Sequence, residues 1–180
     1  LESEKRLVTA LQNPKTQDVA FRELMALYKE RLYWHIRNIV KTHDDTDDVL
    51  QNTFVKVYRN IRNFKGDSKL YSWLYRIATN ESITHINKMA KHQQVRVEDI
   101  QHQLAASLHA DSYYNGDEIQ AKLQMALAKL PQKQQLVFNM KYYEDMKYTD
   151  ISDVLGTSVG ALKASYHHAV KKIENYLTKS

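Results

Sequence analysis

Apolar residues return every three or four positions in successive blocks of this chain, the period of helices that each bury one face. Residues 1–12 form the first block, closed by Asn13-Pro14, because proline disfavours helical backbone in the residue before it. A second helix is predicted from Asp18 to about Thr42, with Phe21, Leu24, Met25, Leu27, Tyr28, Leu32 and Ile36 as its inner stripe. The acidic run Asp44-Asp45-Thr46-Asp47-Asp48 opens a third helix through Arg59, since carboxylates complement the positive end of a helix dipole. Val49, Leu50, Thr53, Phe54 and Val57 face inward on it. After a loop over Asn63-Phe64-Lys65-Gly66-Asp67, Ser68 is the expected N-cap of a long fourth helix to about Lys91, burying Leu70, Trp73, Leu74, Ile77, Ile83 and Ile86.

The period fades over residues 92–117, where only Ile100, Leu104 and Leu108 suggest a short helical stretch. A connector of this length is uncommon inside one compact unit and usually marks a linker or functional loop. It resumes with Leu123, Met125, Ala126, Leu127 and Leu130, and Pro131 suits the first turn of the next helix, whose core face is Leu136, Val137, Met140 and Tyr143. Ile151, Val154 and Leu155 then share one side of a short helix that Gly156 ends by accepting a positive φ. Ser158 suits the N-cap of a final helix with the stripe Leu162, Tyr166, Val170 and Ile173. Its opposite face offers Lys163, Ser165, His167, Lys171 and nearby His168. Two short helices about a glycine turn fit a helix-turn-helix that reads DNA, and equally a generic helical pair. The expectation is an all-α protein of two small helical domains, 1–91 and 118–180, joined by a flexible linker over 92–117.

Composition narrows the classes. The 180 residues include 43% hydrophobic positions, 4 Gly, 2 Pro and no Cys, which excludes a disulfide framework and any thiolate metal site. No stretch approaches the roughly 20 apolar residues of a membrane span, and no leader opens the chain, so a cytoplasmic location without membrane insertion is expected. The chain starts at Leu1, so it is expected to begin inside the native N-terminus. Of the net charge of +5, residues 1–90 and 119–180 carry +4 each and residues 91–118 carry −3. Two basic blocks around an acidic connector suit a polyanion contacted at two places.

The acidic run has the Asp-Asp-x-x-Asp form of a magnesium–diphosphate site, yet such chemistry needs a second ligand cluster that the sequence lacks. An EF-hand fails for want of its glycine and terminal glutamate. The 8 His do not fall at metal-ligand spacing, and adjacent His167 and His168 diverge by about 100° on a helix. No phosphate loop or nucleophile with a base is present, so neither catalysis nor a cofactor is expected. In Tyr71-Ser-Trp73-Leu-Tyr75-Arg76 and Asn80, Trp73 and Leu74 read as core, leaving Tyr71, Tyr75 and Asn80 as groups to stack or hydrogen-bond unpaired bases.

Two stretches resemble the extracytoplasmic-function (ECF) group of bacterial RNA polymerase sigma factors. Asp47-Asp48-Val-Leu-Gln51-Asn52-Thr-Phe54-Val-Lys-Val-Tyr58, and Phe64-Lys-Gly66-Asp67-Ser68 followed by Trp73-Leu74-Tyr75-Arg76-Ile77-Ala78-x-Asn80, are similar to that family's region 2. Leu130 through Tyr176 is similar to its region 4, and the wording is closest to Bacteroidetes-like members. The resemblance implies that Asp47, Asp48, Gln51, Asn52 and Phe54 dock on the β′ clamp of core RNA polymerase, with a further contact to the β flap. It implies that Asn63, Phe64, Lys65, Gly66, Asp67, Ser68 and Lys69, with Tyr75, Asn80 and Lys88, bind the −10 single strand and capture a flipped base. It places Ser158, Lys163, Ala164, Ser165, His167, His168 and Lys171 toward the −35 duplex, sends residues 92–117 toward the polymerase channel, and implies an anti-sigma partner. Two departures stand out. Thr84-His85-Ile86-Asn87-Lys88 replaces an arginine-bearing motif, leaving phosphate contact to Lys88 and Lys91, and Ser165 and His168 replace usual arginines of the recognition helix.

Overall fold

The structure, a computed structural model, describes residues 1–112 and 117–179, so 113–116 of the expected connector lie outside it. Among the described residues every regular element is helical: α1 Glu2–Gln12, α2 Gln17–Val40, α3 His43–Asn60, α4 Leu70–Gln93, α5 Val97–Ser107, α6 Glu118–Ala128, α7 Gln132–Phe138, α8 Tyr148–Leu155 and α9 Val159–Lys179. Short 3₁₀ turns follow α3 (Ile61–Asn63) and α5 (Leu108–Ala110), and a π turn over Asn139–Tyr143 extends α7.

Helices α1 to α4 form one bundle around Leu24, Leu32, Ile36, Val57, Leu70 and Leu74, all fully buried. The corner between α2 and α3 is made by Lys41, whose φ of 71° leaves helical space without a glycine. Thr42 then caps α3, its hydroxyl oxygen accepting from the Asp45 N–H at 3.2 Å, so the acidic run does open this helix. Two local expectations change. Leu27 is 57% exposed, because it lies to one side of the stripe of Ala20, Leu24, Leu32 and Ile36 through which α2 packs. Ser68 does not cap α4; Lys69 occupies that position, and the free Leu70 N–H donates to Glu4 Oε1 of α1 at 2.8 Å.

Part of the expected connector is regular helix. Helix α5 covers Val97–Ser107 and buries Ile100, Leu104 and Leu108 between α4 and α6. In the C-terminal unit, Pro131 sits at the N-cap of α7, one residue before the expected first turn. Gly156 ends α8 with φ +64°, its N–H donating to Ser152 O at 2.9 Å, and Ser158 Oγ accepts from the Ala161 N–H at 3.3 Å to start α9. An added Cβ at Gly156 meets no atom within 4 Å, so only backbone strain opposes a side chain there. Gly156→Ala is therefore expected to cost about 1–2 kcal/mol, and Gly156→Asn less, in urea denaturation.

The C-terminal unit lies against the bundle. One apolar cluster runs from Leu24 and Ile36 through Leu74 into Met140, Met146, Ile151, Val154 and Leu162, while Leu123, Leu127, Leu130, Phe138, Ala169 and Ile173 make a second. Polar pairs accompany the contact. His35 Nδ1 meets Glu144 Oε1 at 2.7 Å while its Nε2 meets Thr79 Oγ1 at 2.7 Å. Lys41 Nζ donates to Gln124 Oε1 at 2.7 Å, and Asn139 Nδ2 to Asn38 O at 3.2 Å.

Candidate nucleic-acid interface

Helix α9 is anchored by Leu162, Ala169 and Ile173, with Tyr166 and Val170 half-buried beside them. Ala169 was not legible as core, since alanine carries little hydrophobic signal. On the outer face Lys163, Ala164, His167, His168 and Lys171 are exposed and Ser165 is half-buried. The N-cap Ser158 is also exposed, its hydroxyl already serving the helix start. Lys141 and Lys163 flank the Tyr148 ring, with Nζ to centroid distances of 4.8 and 5.8 Å. Tyr148 and Lys141 thus extend the basic face, a grouping that sequence reading missed because the π turn brings Lys141 back toward α8. These cations and imidazoles fit phosphate and base-edge contact in a major groove.

The loop before α4 is the second basic surface. Asn63, Lys65, Asp67 and Lys69 are exposed, Ser68 is half-buried, and Gly66 turns the chain with φ +79°. Phe64 is largely buried against Trp73, ring centroids 5.4 Å apart, so it braces the loop and offers only an edge. Asn80 and Lys88 project freely from α4. Tyr75 does not. It is 3% exposed, packed on His35 at 4.5 Å and Tyr71 at 5.7 Å, because its stripe of α4 faces α2 and the C-terminal unit. Burial, reinforced by the Glu144 carboxylate, pushes its phenol up to about 12. As a base-stacking residue Tyr75 is corrected to core.

Part of this surface is already engaged by α8. Asp150, nearly buried, takes Lys69 Nζ at 3.0 Å and a hydrogen bond from the Tyr71 hydroxyl. Burial raises the Asp150 carboxyl, yet the bonds from Tyr71 and Lys69 outweigh it and hold it below its ordinary value. Burial and the bond to Asp150 push the Tyr71 phenol well up. Arg76 Nε donates to Asp153 O at 3.0 Å. The first helix of the helix-turn-helix therefore engages Lys69, Tyr71 and Arg76, while Asn63, Lys65, Asn80 and Lys88 have no such contact with it.

A third surface is acidic. Asp47, Asp48, Gln51 and Asn52 stand exposed on α3. Asp47, Asp48 and Gln51, with Met25, Lys29 and Tyr33 of α2, border a groove of about 830 Å³ whose floor is Leu50 and Phe54. Phe54 is 8% exposed and meets Phe21 edge-on at 6.1 Å, so it supports the groove more than it presents a contact. Asp45 is drawn away from the run: it accepts from His85 Nε2 at 2.8 Å and from the Thr42 hydroxyl.

Fold and surfaces define a protein that is all-helical among the described residues, with two basic surfaces, one of them on a helix-turn-helix, and a separate acidic groove. Sigma-70 region 2 matches residues 24–92 and sigma-70 region 4 matches 120–173. The RNA polymerase sigma-H factor of Pseudomonas aeruginosa is 28% identical over 98% of this chain and 94% of that protein. The ECF RNA polymerase sigma factor SigW of Bacillus subtilis is 26% identical over 88% of this chain and 89% of that protein. Among solved structures, CnrH in complex with the cytosolic domain of CnrY superposes with a TM-score of 0.71 at 22% identity, covering 99% of each chain. RpoE with the anti-sigma factor NepR from Bartonella quintana gives 0.66 at 18% identity over 88% of this chain and 96% of that one. The chain belongs to the sigma-70 family, in its ECF group, and is a promoter-specific transcription initiation factor. Among the described residues no helix is long and apolar enough to cross a membrane.

Proposed function

We propose that residues 1–91 and 118–180 are its two working domains, joined by 92–117, and that they divide the work as follows. The groove between α2 and α3, with Asp47, Asp48 and Gln51 on its rim and Asn52 exposed on the same helix, takes the β′ clamp helices of core polymerase, and the C-terminal domain adds the contact to the β flap. Lys163, Ser165, His167, His168 and Lys171 of α9, with Ala164 and Ser158, lie along the −35 duplex. Asn63, Lys65, Gly66, Asp67, Ser68 and Lys69, on a loop shaped by Phe64, hold the −10 strand together with Asn80 and Lys88 of α4. The chain itself is non-catalytic and works in the cytoplasm, where its DNA is. The observation that carries this reading is the single-sided α9, its cations and imidazoles outward and Leu162, Ala169 and Ile173 holding it in place.

The closed packing supports a further step. Elements about 25 base pairs apart are separated by about 85 Å of duplex, whereas a compact chain of this length has a radius of gyration of about 16 Å. Reading both at once requires α8 to leave α4, freeing Lys69, Tyr71 and Arg76. Binding to polymerase drives that opening if its two contact sites are farther apart than the closed form allows. An anti-sigma partner that favours the closed form would silence the factor; the similar RpoE structure is a complex with the anti-sigma factor NepR.

Pull-down with core polymerase followed by run-off transcription on genomic fragments tests the assignment. Lys163→Ala is expected to lower promoter affinity of the holoenzyme several-fold at all −35 sequences and to reduce the salt slope by about 1. Unchanged affinity and slope would remove α9 from the duplex.

A further inference from the structure

We propose that α1, which precedes the matched region 2, forms the second wall of the site that receives the extruded promoter base, with Gln12 and Glu4 as its positioning residues. This rests on the proposed −10 role of the loop. Both hydrogens of the Gln12 amide are spent on that loop: Nε2 donates to Ile61 O at 3.1 Å and to Phe64 O at 2.8 Å, the carbonyls that bracket the 3₁₀ turn. At the far end, Glu4 Oε1 accepts the Leu70 N–H at 2.8 Å and so sets where α4 begins, a task that Ser68 leaves undone. One helix therefore holds both ends of residues 61–70, from positions about 12 Å apart along its axis.

Between those anchors lies a cleft of about 450 Å³, with Lys5, Val8 and Thr9 of α1 on one side and Phe64, Lys65, Gly66 and Ser68 on the other. That volume falls within the range of small-ligand sites, about 300–1,000 Å³. Its character suits one nucleotide. Val8 and the edge of Phe64 offer apolar contact to a ring, while Lys5 and Lys65 stand exposed at the mouth, where backbone phosphate would pass. Gly66 lines the cleft and turns the loop with φ +79°. The carbonyls tied by Gln12 decide how far the loop stands from α1, and hence which base fits; Lys5 contributes charge without sequence preference.

The test uses reconstituted holoenzyme and the non-template −10 strand of a promoter recovered by run-off transcription, with each position replaced by all four bases. Gln12→Met keeps the side-chain volume and removes the two donors. It is expected to reduce discrimination at the extruded position about tenfold while core-polymerase affinity and −35 duplex affinity stay as they were. Lys5→Ala is expected to weaken all four oligonucleotides alike, about three- to tenfold, and serves as the second arm should Gln12→Met unfold. If both variants bind and discriminate like the parent while Lys65→Ala does not, α1 is no part of the site and the inference fails with the loop assignment intact. If Lys65→Ala and Asn80→Ala are also silent, the loop assignment itself fails.

Discussion

Asp47→Lys combined with Asp48→Lys is expected to lower affinity for core polymerase at least a hundredfold, with the helical content and melting temperature of the free factor nearly unchanged. Both side chains are exposed on α3, and only Asp47 has a described partner, an ion pair at 3.3 Å with exposed His43. Exposed pairs of that kind contribute up to about 1 kcal/mol, so the fold loses little. At a complementary interface the reversal replaces attraction by like-charge contact costing several kcal/mol, and about 2.8 kcal/mol is already a hundredfold. Phe54 separates the two effects. Phe54→Ala empties the groove floor and is expected to cost about 3–5 kcal/mol of stability, so its loss of binding would accompany unfolding. Affinity by surface plasmon resonance beside thermal melting distinguishes them; unaltered affinity in the double reversal would rule out the α3 rim as the docking surface.

Lys41→Met is expected to stabilise the factor at pH 6 and to destabilise it near pH 10. Lys41 is buried at the corner between α2 and α3, and burial, with a smaller push from Arg37, lowers its ammonium from 10.5 to about 7. The unfolded chain keeps its proton across the window from about 7 to 10.5 while the folded chain has lost it, so stability rises with pH through that window. Below pH 7 the folded chain carries the whole desolvation penalty, at most about 5 kcal/mol for this shift. Methionine removes it, but leaves the Gln124 carbonyl without the Nζ donor now at 2.7 Å, a loss of about 1–3 kcal/mol. The net gain at pH 6 is about 2–4 kcal/mol, and near pH 10 only the loss remains. Urea denaturation at the two pH values checks the change of sign; a uniform effect across pH would mean that Lys41 is charged or neutral throughout.

The helices were legible because each is written locally. Leu162 and Ile173 mark the inner stripe of α9, and Gly156 and Ser158 bound the turn before it, all within 18 residues. The exposed face carrying Lys163, His167, His168 and Lys171 follows from the same period, as does the exposure of Asp47, Asp48 and Gln51 on α3. Individual depths were less legible. Tyr75 and Phe54 lie on helix faces whose period marks them only as near the core, and an aromatic ring there serves packing or contact equally well. Burial of Tyr75 under His35 and of Phe54 against Phe21 depends on neighbouring helices that arrive from elsewhere in the chain.

The chain by itself determined the helical class, the place of each helix and the polar faces, since hydrophobic period, caps and turn residues act over a few positions. Only tertiary structure decided that Glu4 starts α4, that Gln12 ties Ile61 and Phe64, that His35 pairs with Glu144, and that Asp150 pairs with Lys69. These contacts join residues 49 to 109 positions apart. A polar side chain bears no local mark of its distant partner, because the pairing exists only once packing has brought the two together.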